Sequence, residues 1–81
     1  MITVKERIEK ARKDGDLETV AMLEIAIQKG LISEDDRWDV DEEFILNWWE
    51  EFKDELKRQG KQIRFIHGEG TWIITSKKST E

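Results

Sequence analysis

The chain has 81 residues, with 19 acidic side chains against 14 basic ones, and it contains no cysteine. That length sets an expectation of one domain, and the lack of thiols excludes a disulfide framework, a cysteine nucleophile and a cysteine-ligated metal. No apolar run approaches the roughly 18–20 residues of a membrane span, and the charged start MITVKERIEKARK lacks the pattern of a signal or transit peptide, so we expect a cytoplasmic protein with no membrane partner.

The charge is unevenly distributed. Residues 1–13 carry five bases against two acids, residues 14–60 fifteen acids against five bases, and residues 61–81 four bases against two acids. An acidic centre of this kind repels nucleic acid and attracts basic partners.

In chain order, Thr3-Val4-Lys5-Glu6 has the spacing of a capping box and opens a helix to about Lys13, with Val4, Ile8 and Ala11 as a narrow apolar stripe. Gly15 ends it and Asp16 caps a second helix, from about Leu17 to Lys29. That helix is apolar on two sides, through Val20, Leu23 and Ile27 and through Ala21 and Ile25. It is therefore expected between two neighbours. Gly30-Leu31 stops it. Leu31 to Val40 reads as an acidic connection, with a short turn from Ser33 to Asp36 and a weak strand signal at Trp38 and Val40.

The run DEEFILNWWEEFKDELKRQ, Asp41 to Gln59, is the longest with one clear period. At about 100° per residue, Phe44, Ile45, Trp48, Trp49, Phe52 and Leu56 fall within an arc of about 140°, which marks the core face. Asp41 is expected to cap this helix, with Val40 and Ile45 as a hydrophobic staple. Its polar face carries Glu43, Asn47, Glu50, Glu51 and Asp54.

Lys61 to Ser76 reads as a β-hairpin around Gly68-Glu69-Gly70. A two-residue type II′ loop at Gly68-Glu69 pairs Phe65 with Trp72 and Ile63 with Ile74, gathering four apolar side chains on one face. Ile66 and Ile73 then point outward, which makes them candidates for self-association as a homodimer. The expected architecture is α+β over residues 1–76. Three helices form the N-terminal part, and a C-terminal antiparallel β-hairpin packs on the third; residues 77–81 are a frayed tail.

Chemistry-bearing patterns are sparse. His67 is the only histidine, next to the turn, and no serine or second histidine completes a catalytic arrangement with it. Asp39, Asp41, Glu43 and Glu50 match four places of a calcium loop, but Phe44 stands where the loop needs glycine. Neither a metal nor another cofactor is expected, and the protein reads as a non-enzyme.

The functional expectation rests on the ridge Glu43, Asn47, Glu50, Glu51, Asp54. Such a row suits the basic surface of a protein partner, including a nucleic-acid-binding protein whose groove is built for phosphates. This is the profile of a small inhibitor or adaptor, of cellular, viral or mobile-element origin. The competing view of the same row is a solvated helix face, its repulsion relieved by Lys53, Lys57 and Arg58. The alternative function is a winged-helix-like DNA-binding or transcription-regulatory domain, suggested by element order alone. It is disfavoured because carboxylates on the third helix would meet phosphates.

Overall fold

The computed structural model describes residues 2–76, apart from the side chain of His67; the expected tail at 77–81 lies outside the described residues. The elements are α1 (Val4–Asp14), α2 (Leu17–Gln28), α3 (Trp38–Arg58), β1 (Lys61–Ile66), a short 3-10 turn (His67–Glu69) and β2 (Thr71–Ser76). Three helices precede an antiparallel hairpin, and the hairpin packs on α3 through β1 and on α2 through β2. The α+β architecture is as the sequence indicates.

Local chemistry sets the first two helices. The Thr3 hydroxyl accepts from the Glu6 amide at 3.2 Å, and the Glu6 carboxylate accepts from the Thr3 amide at 3.0 Å. Both halves of the capping box are therefore made. Gly15 closes α1 in the left-handed region at φ 78°, where a side chain would be strained. The Asp16 carboxylate then accepts from the Thr19 amide at 3.3 Å to start α2. As its two-sided pattern requires, α2 is the centre of the molecule. Leu17, Val20, Ala21, Met22, Leu23, Ile25 and Ala26 are all buried, and α2 touches α1, α3 and β2.

The connection from α2 to α3 is better ordered than its composition suggests. Ser33 and Asp36 form the expected turn, with the Ser33 amide donating to the Asp36 carboxylate at 2.9 Å. Ile32, which the sequence pattern did not single out, is buried in the core. The carbonyls of Glu34 and Asp36 accept from the first amides of α1, at Lys5 and Val4, so the loop caps that helix.

Helix α3 begins earlier than its periodicity indicates, and this corrects three expectations. Trp38 and Val40 belong to the helix, not to a strand; Asp41 is inside the first turn, not at the cap; and Val40 makes no staple, being 65% exposed. The N-cap is Arg37, which contributes no side-chain cap. Two tertiary contacts replace the missing cap. The Trp38 amide donates to the Ile2 carbonyl at 2.9 Å, and Arg37 forms an isolated antiparallel bridge with Thr3. The Trp38 ring is buried against the core, so burial and a long-range backbone bond together fix the helix start.

The buried face of α3 is Trp38, Ile45, Trp49 and Leu56, with Trp48 and Phe52 half-buried beside it. Trp48, Trp49 and Phe52 form a ring cluster with centroids 5.2–5.8 Å apart. Phe44 departs from the expected face: it is 57% exposed, whereas its neighbour Ile45 is fully buried. Phe44 stands at one end of the apolar arc, about 100° round the helix from Ile45, and among the described residues no element covers that side.

The hairpin register is the one that burial favours: Ile63 pairs with Ile74, Phe65 with Trp72, and Ile66 with Thr71. The turn differs from the expected type II′ loop. A type II′ turn needs positive φ at Gly68, but the positive φ is at Gly70, 64°. His67–Glu69 form a 3-10 turn instead, giving a four-residue loop that Gly70 closes. Ile63, Phe65 and Trp72 pack against the core, but Ile74, near the open end of the hairpin, is 40% exposed.

Candidate interaction surface on helix α3

The Cα atoms span 48 × 27 × 16 Å, so the molecule is thin in one direction, and α3 has core on one side and solvent on the other. Glu43, Asn47, Glu50, Glu51 and Asp54 are all exposed on that outer side. Their row from Glu43 to Asp54 is about 16 Å long at 1.5 Å per residue. The three cations expected to relieve the repulsion divide: Lys53 is shared between Glu18 and the ridge acid Glu50, Arg58 is engaged off the ridge, and Lys57 makes no ion pair among the described residues. Lys53 Nζ lies 2.9 Å from Glu18 and 3.5 Å from Glu50, and Arg58 pairs with Glu55, not with Asp54.

The acids do not stand alone on this side. Val40, Phe44 and Leu46 are all more than two-fifths exposed, and they are interleaved with Asp39, Glu42 and Glu43. Val40, Leu46 and Asn47 share a shallow depression with those three acids. Scattered single apolar side chains are ordinary on a protein surface. Here a valine and a phenylalanine stand one helical turn apart and about 40° apart round the helix, while Leu46 lies about 160° round from Phe44, across the acidic row. Val40 and Phe44, which helical periodicity alone turns inward, are outward-facing. The calcium-loop spacing dissolves as well, because Asp39, Asp41, Glu43 and Glu50 all lie within continuous helix. Among the described residues, no group of three or more His, Cys, Asp or Glu is placed to hold a metal.

On the hairpin, Ile73 is 42% exposed, but Ile66 is half-buried. The two candidates share the outward face without forming an open pair. The backbone of His67 lies in the turn, as expected.

Two carboxylates on α2, Glu18 and Glu24, hold the tertiary structure together and were not visible as such in the sequence. Glu18 accepts from the Trp49 indole N–H at 3.0 Å and from Lys53 at 2.9 Å. Glu24 accepts from the Trp72 indole N–H at 2.8 Å and from Arg12 at 2.7 Å, and Arg12 also donates to the Gly70 carbonyl at 2.8 Å. A tryptophan that buries its rings needs an acceptor for its N–H, and this is the one sequence signal that could have directed attention to these acids. Hydrogen bonds from Lys53 and then Trp49 hold the Glu18 carboxyl below its ordinary pKa, while Glu18 in turn raises Lys53. Asp39 is lowered by its hydrogen bond from Arg37, and Glu55 by those from Gln59 and Arg58. These shifts favour ionised carboxylates at neutral pH, the opposite of what a general acid requires.

Among the described residues no helix is long and apolar enough to cross a membrane. The chain matches no family model, no curated protein and no solved structure.

Proposed function

We propose that this chain is a small, non-enzymatic protein-interaction module of inhibitor or adaptor type that docks the outer face of α3 on a basic surface of a partner protein. The observation that carries the reading is the exposure of Phe44 and Val40 on the side of α3 that also presents Glu43, Glu50, Glu51 and Asp54. Apolar and aromatic anchors supply most of the energy of an interface, while surrounding charges steer the encounter and select the partner. An unbroken acidic row would serve solubility equally well; the anchors among the acids favour docking. A partner that itself binds nucleic acid fits the row best, because its groove already accepts a line of negative charge.

The winged-helix reading retains its element order, but the helix that would enter a DNA groove presents the four ridge carboxylates, Glu43, Glu50, Glu51 and Asp54, to solvent, and these would lie against phosphates. Affinity capture from native lysate, run in parallel with the wild-type chain, with Glu50→Lys plus Asp54→Lys and with Phe44→Ser, separates the readings. Basic proteins should be enriched by the wild type and lost with both variants. Equal capture by all three would remove the α3 face from consideration, and a salt-sensitive shift of labelled duplex DNA would favour the winged-helix reading.

A further inference from the structure

A crevice opens between the C-terminal half of α3 and strand β1, on the flank of α3 away from Val40 and Phe44. Its volume is about 290 Å³, and its apolar walls are Trp49, Leu56, Ile63 and Phe65. Its polar lining is mainly cationic: Lys53, Lys57 and Lys61 against the single carboxylate of Glu18. That balance is opposite to that of the whole chain, whose net charge is −5. The one acid is already occupied, since Glu18 accepts from both Trp49 and Lys53. Among the described residues, neither Lys57 nor Lys61 has a carboxylate within ion-pair distance.

We infer that this crevice is a binding site for a small carboxylate with a flat apolar body. The volume stands at the bottom of the range for small-molecule pockets, roughly 300–1,000 Å³, so one or two fused rings or a short chain fill it and a dinucleotide does not. The apolar body lies against Trp49, Leu56 and Phe65. The carboxylate meets Lys57 at the end of α3 and Lys61 at the start of β1, two cations that flank the tight α3–β1 turn. Lys53, held by Glu18, adds positive potential without having to move. Charge complementarity selects an anion over a neutral body or a cation, and the site stands independently of the α3 outer face.

An amide NMR titration of the full chain with naphthoate, with neutral naphthamide as the isostere, tests this assignment. Naphthoate should give saturable shifts at the Trp49 indole and at the amides of Lys57, Lys61 and Ile63. It should bind about fivefold to tenfold more tightly than naphthamide, the worth of two exposed charge contacts. The double variant Lys57→Gln with Lys61→Gln should remove most of the preference, leaving only the part due to Lys53, while the hairpin amide pattern stays unchanged, because both side chains are exposed. Equal affinity for the two ligands, an absence of saturable shifts, or an undiminished preference in the double variant would overturn the assignment.

Discussion

Removing the Glu24 carboxylate should loosen the hairpin from the helices. Glu24 on α2 receives the Trp72 indole from β2 and the Arg12 guanidinium from α1, and Arg12 also reaches the Gly70 carbonyl in the hairpin turn. One carboxylate thus joins three elements. A hydrogen bond to a charged acceptor is worth about 1.5–3 kcal/mol when desolvated. The Arg12 contact is exposed and is worth about 0.2–1 kcal/mol. Trp72 and Glu24 are half-buried, which places the total for Glu24→Ala near 2 kcal/mol. For a domain of this size, that corresponds to a fall in melting temperature of about 8–16 °C. Glu24→Gln keeps an oxygen for the Trp72 N–H and loses only the charge, so it should fall about half as far. Thermal unfolding followed by circular dichroism gives the magnitude. Hydrogen exchange gives the location, and the amides of β1 and β2 should lose protection before those of α2. A fall of less than about 2 °C for Glu24→Ala, or a loss of protection spread evenly over the chain, would refute the clamp.

Two further outcomes concern Glu18 and the outward face of the hairpin. Because the Glu18 carboxyl is held below its ordinary value of 4.5, it binds its proton less readily folded than unfolded. Its contribution is therefore present above pH 4.5 and is lost as the pH falls through the lower folded value, so Glu18→Gln should flatten the acid limb of a stability–pH curve; an unchanged limb would exclude this cluster as its source. If the outward hairpin face mediates self-association, Ile73→Glu should convert a dimer into a monomer in sedimentation, and a wild-type chain that sediments as a monomer at all concentrations would exclude that role.

The sequence was most legible where structure is set locally. The capping box at Thr3 and Glu6, the Gly15 stop, the Asp16 cap and the Ser33–Asp36 turn all depend on residues within four positions of one another, and all form. The two-sided apolar pattern of α2 correctly made it central, and burial alone chose the hairpin register. Burial did not choose between the glycines of the turn. Gly68 and Gly70 both tolerate positive φ, and the register is compatible with either. Helix α3 shows a second limit. Periodicity gives each side chain an angle but does not say which angles another element covers, so it turns Phe44 inward and makes Val40 a staple where both are exposed. The early start at Trp38 depends on the Ile2 carbonyl, far away in sequence. Glu18 and Glu24 reach their tryptophans across 31 and 48 residues, a separation that no local pattern encodes.

Helix α3 is divided lengthwise into a core face and an outward face, with the boundary passing between Phe44 and Ile45. The melting temperatures of Phe44→Ala and Ile45→Ala test that division directly. Ile45 is fully buried, so its truncation should cost about 2–5 kcal/mol and lower the midpoint by at least about 8 °C. Phe44→Ala should move the midpoint by no more than about 4 °C. Comparable losses at the two positions would mean that Phe44 is an interior residue, and the outward face proposed for docking would not exist.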